Sequence, residues 1–173
     1  MEVAFRIAIS GSPGAGKSTI SSLLENMGYR IETVESLADE FECIGEVDSR
    51  DGARPIDVEK LQKKLKVAWK EDPEGPTVID GHLSHLLDVD CVVILRCRPR
   101  ELRERLAGRS YPSQKINGNV DWEILGGPWA EIESGKAIVE FDTSSERPES
   151  IVCLLYTSPS PRDATLSRMP SSA

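Results

Sequence analysis

The sequence has no pair of cysteines in C-x-x-C spacing, and Cys43, Cys91, Cys97 and Cys153 hold no metal-ligand spacing with His82 or His85. A disulfide framework and a structural zinc site are both poorly supported, which leaves free thiols. No apolar run approaches the roughly 18 residues of a membrane span, and the opening Met1 to Arg6 lacks the long apolar core of a signal peptide. The expectation is a cytoplasmic protein without membrane contact. Basic charge is short as well: 21 Lys and Arg stand against 29 Asp and Glu, for a net charge of −8. That balance argues against broad electrostatic capture of nucleic acid, while leaving room for a local cationic patch and for a basic partner. No internal repeat occurs, and no N-K-x-D, which argues against a guanine-specific switch. The hydrophobic fraction of 39% is somewhat low, yet 173 residues suffice for one compact domain.

What is present is Gly11-Ser12-Pro13-Gly14-Ala15-Gly16-Lys17-Ser18, followed by Thr19. It satisfies G-x-x-x-x-G-K-[ST]. The apolar segment Val3 to Ile9 precedes it, and Ile20, Leu23, Leu24 and Met27 follow at helical spacing, so strand, glycine loop and helix come in the required order. In such a loop backbone N–H groups turn onto phosphate oxygens and the helix N-terminus adds partial positive charge. Lys17 reaches the β/γ-phosphates, and the Ser18 hydroxyl ligates Mg²⁺.

The rest of the chain alternates strands with helices. Tyr29 to Thr33, Thr77 to Ile79, the continuous apolar run Cys91 to Leu95 and Lys136 to Phe141 read as strands. Leu37 to Phe41 suggests a brief helix, and residues 43 to 56 a loop or small cap carrying Arg50 and Arg54. Asp57 is placed to cap a helix facing inward through Val58, Leu61, Leu65 and Ala68. Pro99 suits the first turn of a helix carrying Leu102 and Leu106. After Tyr111-Pro112 a further helix is expected, with Ile116, Val120 and Ile124 on one side and Lys115, Asn119 and Glu123 on a solvated other side. The pattern implies an α/β P-loop NTPase fold, a five-stranded parallel doubly wound sheet with ligands at the strands' carboxyl ends.

Asp80 stands at the end of an apolar strand, where a second acidic residue can hold Mg²⁺ through water. His82 lies two residues on, close to where an attacking water or acceptor phosphate would sit, and is a candidate catalytic group. Six arginines (96, 98, 100, 103, 105 and 109) form the one cationic cluster. Most of them fit a solvated helix face; Arg109, beside Gly108, is best placed to neutralise charge on a transferring phosphoryl group.

These residues resemble the archaeal adenylate kinase relatives grouped with eukaryotic adenylate kinase isoenzyme 6. The resemblance covers about residues 5 to 152. It rests on Gly11 to Thr19, on Ile79-Asp80-Gly81-His82-Leu83-Ser84-His85-Leu86, on Val93 to Arg96, on Glu104-Arg105-Leu106 leading to Gly108-Arg109-Ser110-Tyr111, and on Lys115, Asn119 and Glu123. It implies a monophosphate-binding region at about 33 to 56 and a lid at about 108 to 118. ATP contacts would fall on Gly14, Ala15, Gly16, Lys17, Ser18, Thr19 and Arg109, with His82 in an ATPase motif. It further implies a role in small ribosomal subunit maturation through a basic ribosomal protein, with indirect rRNA contact. The lid departs from the family at Ser110, where glycine is usual, and Gly126-Gly127-Pro128 interrupts a helix.

The expected reaction is therefore transfer of the ATP γ-phosphate to AMP or a related monophosphate. The competing expectation is an assembly ATPase whose kinase turnover is incidental. From Cys153 onward the pattern collapses into Ser and Pro. Cys153 to Asp163 matches a translated sequencing adapter, so residues 153 to 173 are expected to be a non-native disordered tail on a truncated gene.

Overall fold

A computed structural model describes residues 4–50 and 52–157. Strand β1 (Arg6–Gly11) is the centre of a five-stranded sheet. With β2 (Arg30–Thr33), β3 (Thr77–Asp80), β4 (Cys91–Arg96) and β5 (Ile138–Asp142), the order is β2-β3-β1-β4-β5, all parallel. Burial on both faces explains why Cys91 to Leu95 carries no polar residue. Two registers build the site: Ile9 pairs with Asp80, and Gly11 pairs with Leu95. They bring the ends of β3 and β4 level with the loop that leaves β1.

Helices cover both faces. On one, α1 (Lys17–Asn26), α4 (Pro99–Ala107), α5 (Ser113–Ile124) and α6 (Pro148–Thr157) bury Ile20, Leu24, Leu102, Leu106, Ile116, Val120, Ile151 and Leu155 against Ile7, Ile9, Val93 and Leu95. Each such side chain contributes roughly 1.5–3 kcal/mol. On the other, α2 (Val34–Glu40) and α3 (Val58–Ala68) pack Val34, Leu37, Leu61 and Leu65 around Ile79. Asp57 caps α3, accepting from the Lys60 N–H at 3.0 Å, and Thr33 and Ser36 form a capping box at the start of α2.

Two expectations are corrected. On α5, Ile124 is 62% exposed and Glu123 is 1% exposed, the reverse of the expected faces. Ile116, Val120 and Glu123 form the inward row, and partners on β4 and on the glycine loop make that carboxylate's burial tolerable. The fold also does not stop at Val152. The i, i+1, i+4 row Ile151, Val152, Leu155 continues helical spacing across that boundary, so Cys153 to Thr157 complete α6. Leu155 is buried and the Tyr156 ring lies 6.5 Å from Tyr29. The remainder of the expected tail, 158 to 173, lies outside the described residues.

Candidate nucleotide site

The loop between β1 and α1 begins at Gly11, with φ 153°. A Cβ there would sit 2.4 Å from the Leu95 carbonyl oxygen, so the close approach of β4 requires glycine. Helix α1 starts at Lys17 with no side-chain cap at Gly16, so its first N–H groups lack intrahelical partners. Lys17, Ser18, Thr19, Asp80, His82 and Arg109 all line one cleft of about 300 Å³, with Gly14 and Gly16 at its floor. Thr33 and Glu35, from the start of α2, line it too; both fall in the region 33 to 56 that the resemblance implies for the monophosphate, although neither was singled out by itself. Ala15 differs from its neighbours. Its side chain is in the core, and its N–H and carbonyl bond to Ser12 and Thr143.

A second cavity of about 500 Å³ lies across the loop, sharing Gly14, Gly16, Thr19 and Arg109 and walled by Arg105, Thr143 and Pro148. Arg105 donates to the Gly14 carbonyl at 3.3 Å and to Thr143 Oγ1 and O at 3.1 and 3.0 Å. Arg96 turns inward as well, while Arg98, Arg100 and Arg103 lie on the solvated face expected of most of the cluster. Arg50 pairs with Asp48 at 2.8 Å, Arg54 lies 4.0 Å from Asp39, and neither lines the cleft.

Burial governs the electrostatics. It pushes Lys17 down to about 8, helped by Arg109 and opposed by Asp80 and Glu35. The Lys17 ammonium donates to the Gly11 and Ser12 carbonyls at 2.8 and 3.0 Å. Burial raises the Asp80 carboxyl, opposed by the Ser21 hydroxyl and Lys17, and lowers the His82 imidazole, with Lys17 adding to the effect. His82 is therefore neutral at pH 7. Ser18 and Asp80 offer hard oxygen donors on one cleft, which suits Mg²⁺. Among the described residues no cluster of three or more His, Cys, Asp or Glu could hold a metal by itself.

The turn after Asp80 is fixed from behind. His85 is fully buried, its Nδ1 2.7 Å from Ser10 Oγ and its Nε2 2.7 Å from Glu131 Oε2. Burial keeps the ring neutral. With the proton assigned to Nε2 facing the carboxylate, the Ser10 hydroxyl donates to Nδ1. Ser84 Oγ donates to the Ile9 carbonyl at 2.9 Å, and a Cβ on Gly81 would meet Val34 at 2.8 Å. His82 is thereby held beside the loop.

Fold and loop together define a P-loop nucleotide-binding domain. A sugar kinase from Janibacter sp. HTCC2649 superposes with a TM-score of 0.56 at 14% identity, covering 94% of this chain and 98% of that one. Shikimate kinase from Bacteroides thetaiotaomicron gives 0.54 at 15%, covering 88% and 96%. These likenesses concern the fold alone. The family described as AAA domain matches residues 7–126. Proteins named "Putative adenylate kinase" from Archaeoglobus fulgidus and Pyrococcus abyssi are 39% and 40% identical over 147 and 148 residues. They align over 84% of this chain in both cases and 77% and 79% of their own lengths. The chain belongs to this family.

Proposed function

We propose that this protein is a nucleoside monophosphate kinase of adenylate kinase type, transferring the ATP γ-phosphate to AMP or a related acceptor. The observation that carries the reading is the pair of cavities joined by one phosphate loop. ATP lies along the loop with its base in the cavity walled by Arg105, Thr143 and Pro148, and its γ-phosphate meets the acceptor in the cleft beside Asp80, Thr33 and Arg109. An acceptor phosphate oxygen attacks the γ-phosphorus while the bond to the β–γ bridging oxygen breaks, and that oxygen leaves on ADP. The nucleophile is already anionic, so positioning and charge neutralisation suffice. Lys17 neutralises the β- and γ-phosphates, and the exposed Arg109 folds over the transferring group. Ser18, and Asp80 through water, would hold Mg²⁺, which supplies neutralisation of the phosphate oxygens.

The same cleft supports ATP hydrolysis. Neutral His82 beside Asp80 can orient a water and accept its proton, worth on the order of 10²-fold. The resemblance to the isoenzyme 6 family suggests a role in small-subunit maturation through a basic ribosomal protein, and the net charge of −8 suits a basic partner. ADP production from ATP with and without AMP, on wild type and His82→Ala, tests these readings. AMP-dependent ADP formation supports the kinase, and its absence in the wild type sinks it. A steeper loss of hydrolysis than of transfer in His82→Ala supports the hydrolytic role of that residue, and equal losses remove it.

A further inference from the structure

Glu123 is the most deeply buried carboxylate on the phosphate-loop side of the sheet, at 1% exposure, and the phosphoryl-transfer chemistry does not use it. Its Oε2 accepts from the Ser12 hydroxyl at 2.5 Å, and its Oε1 from Arg96 Nε at 2.5 Å. The rest of the Arg96 guanidinium clamps the carboxyl end of α5, donating to the Glu123 carbonyl at 2.7 Å and the Gly126 carbonyl at 3.0 Å. A cation at that helix end also complements its dipole. Ser12 in turn presents its carbonyl to Lys17 Nζ at 3.0 Å. One chain of bonds thus runs from the end of α5 through Glu123 and Ser12 to the phosphate-binding lysine.

The opposite end of α5 continues from the segment 108 to 112, which carries Arg109. There the side-chain polar ties lie outside the core, with Arg103 donating to Asn117 Oδ1 at 2.6 Å and Lys115 4.5 Å over the Tyr111 ring, while Ile116 packs in the core and Tyr111 against it. The buried hydrogen bonds of the helix thus gather at its C-terminus against the loop, while its N-terminal half is held by apolar packing through Ile116.

We propose that Glu123 is a positioning residue that couples the lid helix to the P-loop through Ser12, so that ATP at the loop and lid closure over it favour one another. The inference rests on the nucleotide-kinase reading. Four proteins test it: wild type, Ser12→Ala, Glu123→Gln and the double variant, with folding checked by thermal melting. Glu123→Gln preserves shape and removes the charge, and Ser12→Ala is mild enough to keep the fold should the first variant fail. Two readouts are taken, steady-state ADP formation and ATP-dependent protection of residues 108 to 118 from hydrogen exchange. Each single variant is expected to lower kcat/KM for ATP about tenfold with KM for AMP within twofold of wild type. The double variant is expected to be no worse than the poorer single, because both remove one connection. Protection of the lid by ATP should shrink in all three. Multiplicative losses, or lid protection equal to wild type, overturn the coupling. Absence of AMP-dependent ADP formation in the wild type would instead sink the kinase reading, while the exchange readout still judges the coupling.

Discussion

Lys17→Met should make this protein more stable while removing its activity. Burial takes the Lys17 ammonium from its ordinary 10.5 to about 8. At about 1.4 kcal/mol per pH decade, holding it charged in the fold costs up to about 3 kcal/mol. Between about 8 and 10.5 the unfolded chain binds more protons than the folded one, so stability rises with pH across that window and the full cost is present below it. Methionine keeps the unbranched stem and loses the charge. It also loses the bonds to the Gly11 and Ser12 carbonyls, about 1 kcal/mol, leaving a gain of about 2 kcal/mol at pH 7. For a chain this size that corresponds to a rise in melting temperature of about 4–8 °C. ADP formation should fall on the order of 10³-fold or more, since the β- and γ-phosphates lose their neutralising cation. Melting curves at pH 7 and pH 10 read the argument directly. The variant's advantage should shrink at the higher pH, where wild-type Lys17 is neutral in the fold. A variant less stable than wild type at pH 7, or an advantage unchanged with pH, would refute it.

Ser110 holds φ 58°, a left-handed conformation costly for a side chain, so Ser110→Gly should raise stability by about 0.5–1 kcal/mol in chemical denaturation. Arg96→Met strands the Glu123 carboxylate in the interior and should cost about 3 kcal/mol, read as a fall in melting temperature of roughly 10 °C. His82 and His85 are both held below 6.5 by burial. Their folded forms therefore bind fewer protons than the unfolded chain, and stability should fall as pH drops below 6.5, less so in a His82→Asn, His85→Asn double variant. Leu155→Ala should lose about 2–3 kcal/mol, since that side chain is in the core; a change below 0.5 kcal/mol would show that the end of α6 contributes nothing.

How legible the site was depended on whether a residue acts through local sequence or through distant partners. Gly11 to Thr19 and Asp80 could be placed together on one cleft because a loop between strand and helix and the end of an apolar strand are both local features of the sequence. Asp57 and Pro99 announced helix starts for the same reason. Glu123 could not be read this way. Its partners are 111 and 27 residues away in the chain, and in isolation a glutamate beside Lys115 and Asn119 on a helix reads as solvated. A signal existed in the spacing: 116, 120 and 123 form as good an inward row as 116, 120 and 124, and only the habit of placing isoleucine inside chose between them. Arg105 was hidden likewise among neighbours of its own charge. No helix was read after the fifth strand, and the tail was begun at Cys153, because Ser and Pro further on were allowed to outweigh the row Ile151, Val152 and Leu155.

The perturbations in the cleft point in opposite directions, and that pairing says more than either one. Desolvation drives Lys17 and Asp80 both toward neutrality, although each is the other's natural partner. Their mutual attraction is thus too weak to restore ordinary behaviour, so the cleft is not simply a structural ion pair. A structural pair would close into a direct contact, whereas the Lys17 ammonium donates to two backbone carbonyls. The lysine is stabilised by an added anion and the carboxylate by an added cation. A nucleotide phosphate carrying a divalent ion delivers both charges in one ligand, in the order that the loop and the end of β3 present them. Arg109 adds repulsion to Lys17, a cost that disappears once phosphate charge lies between the two.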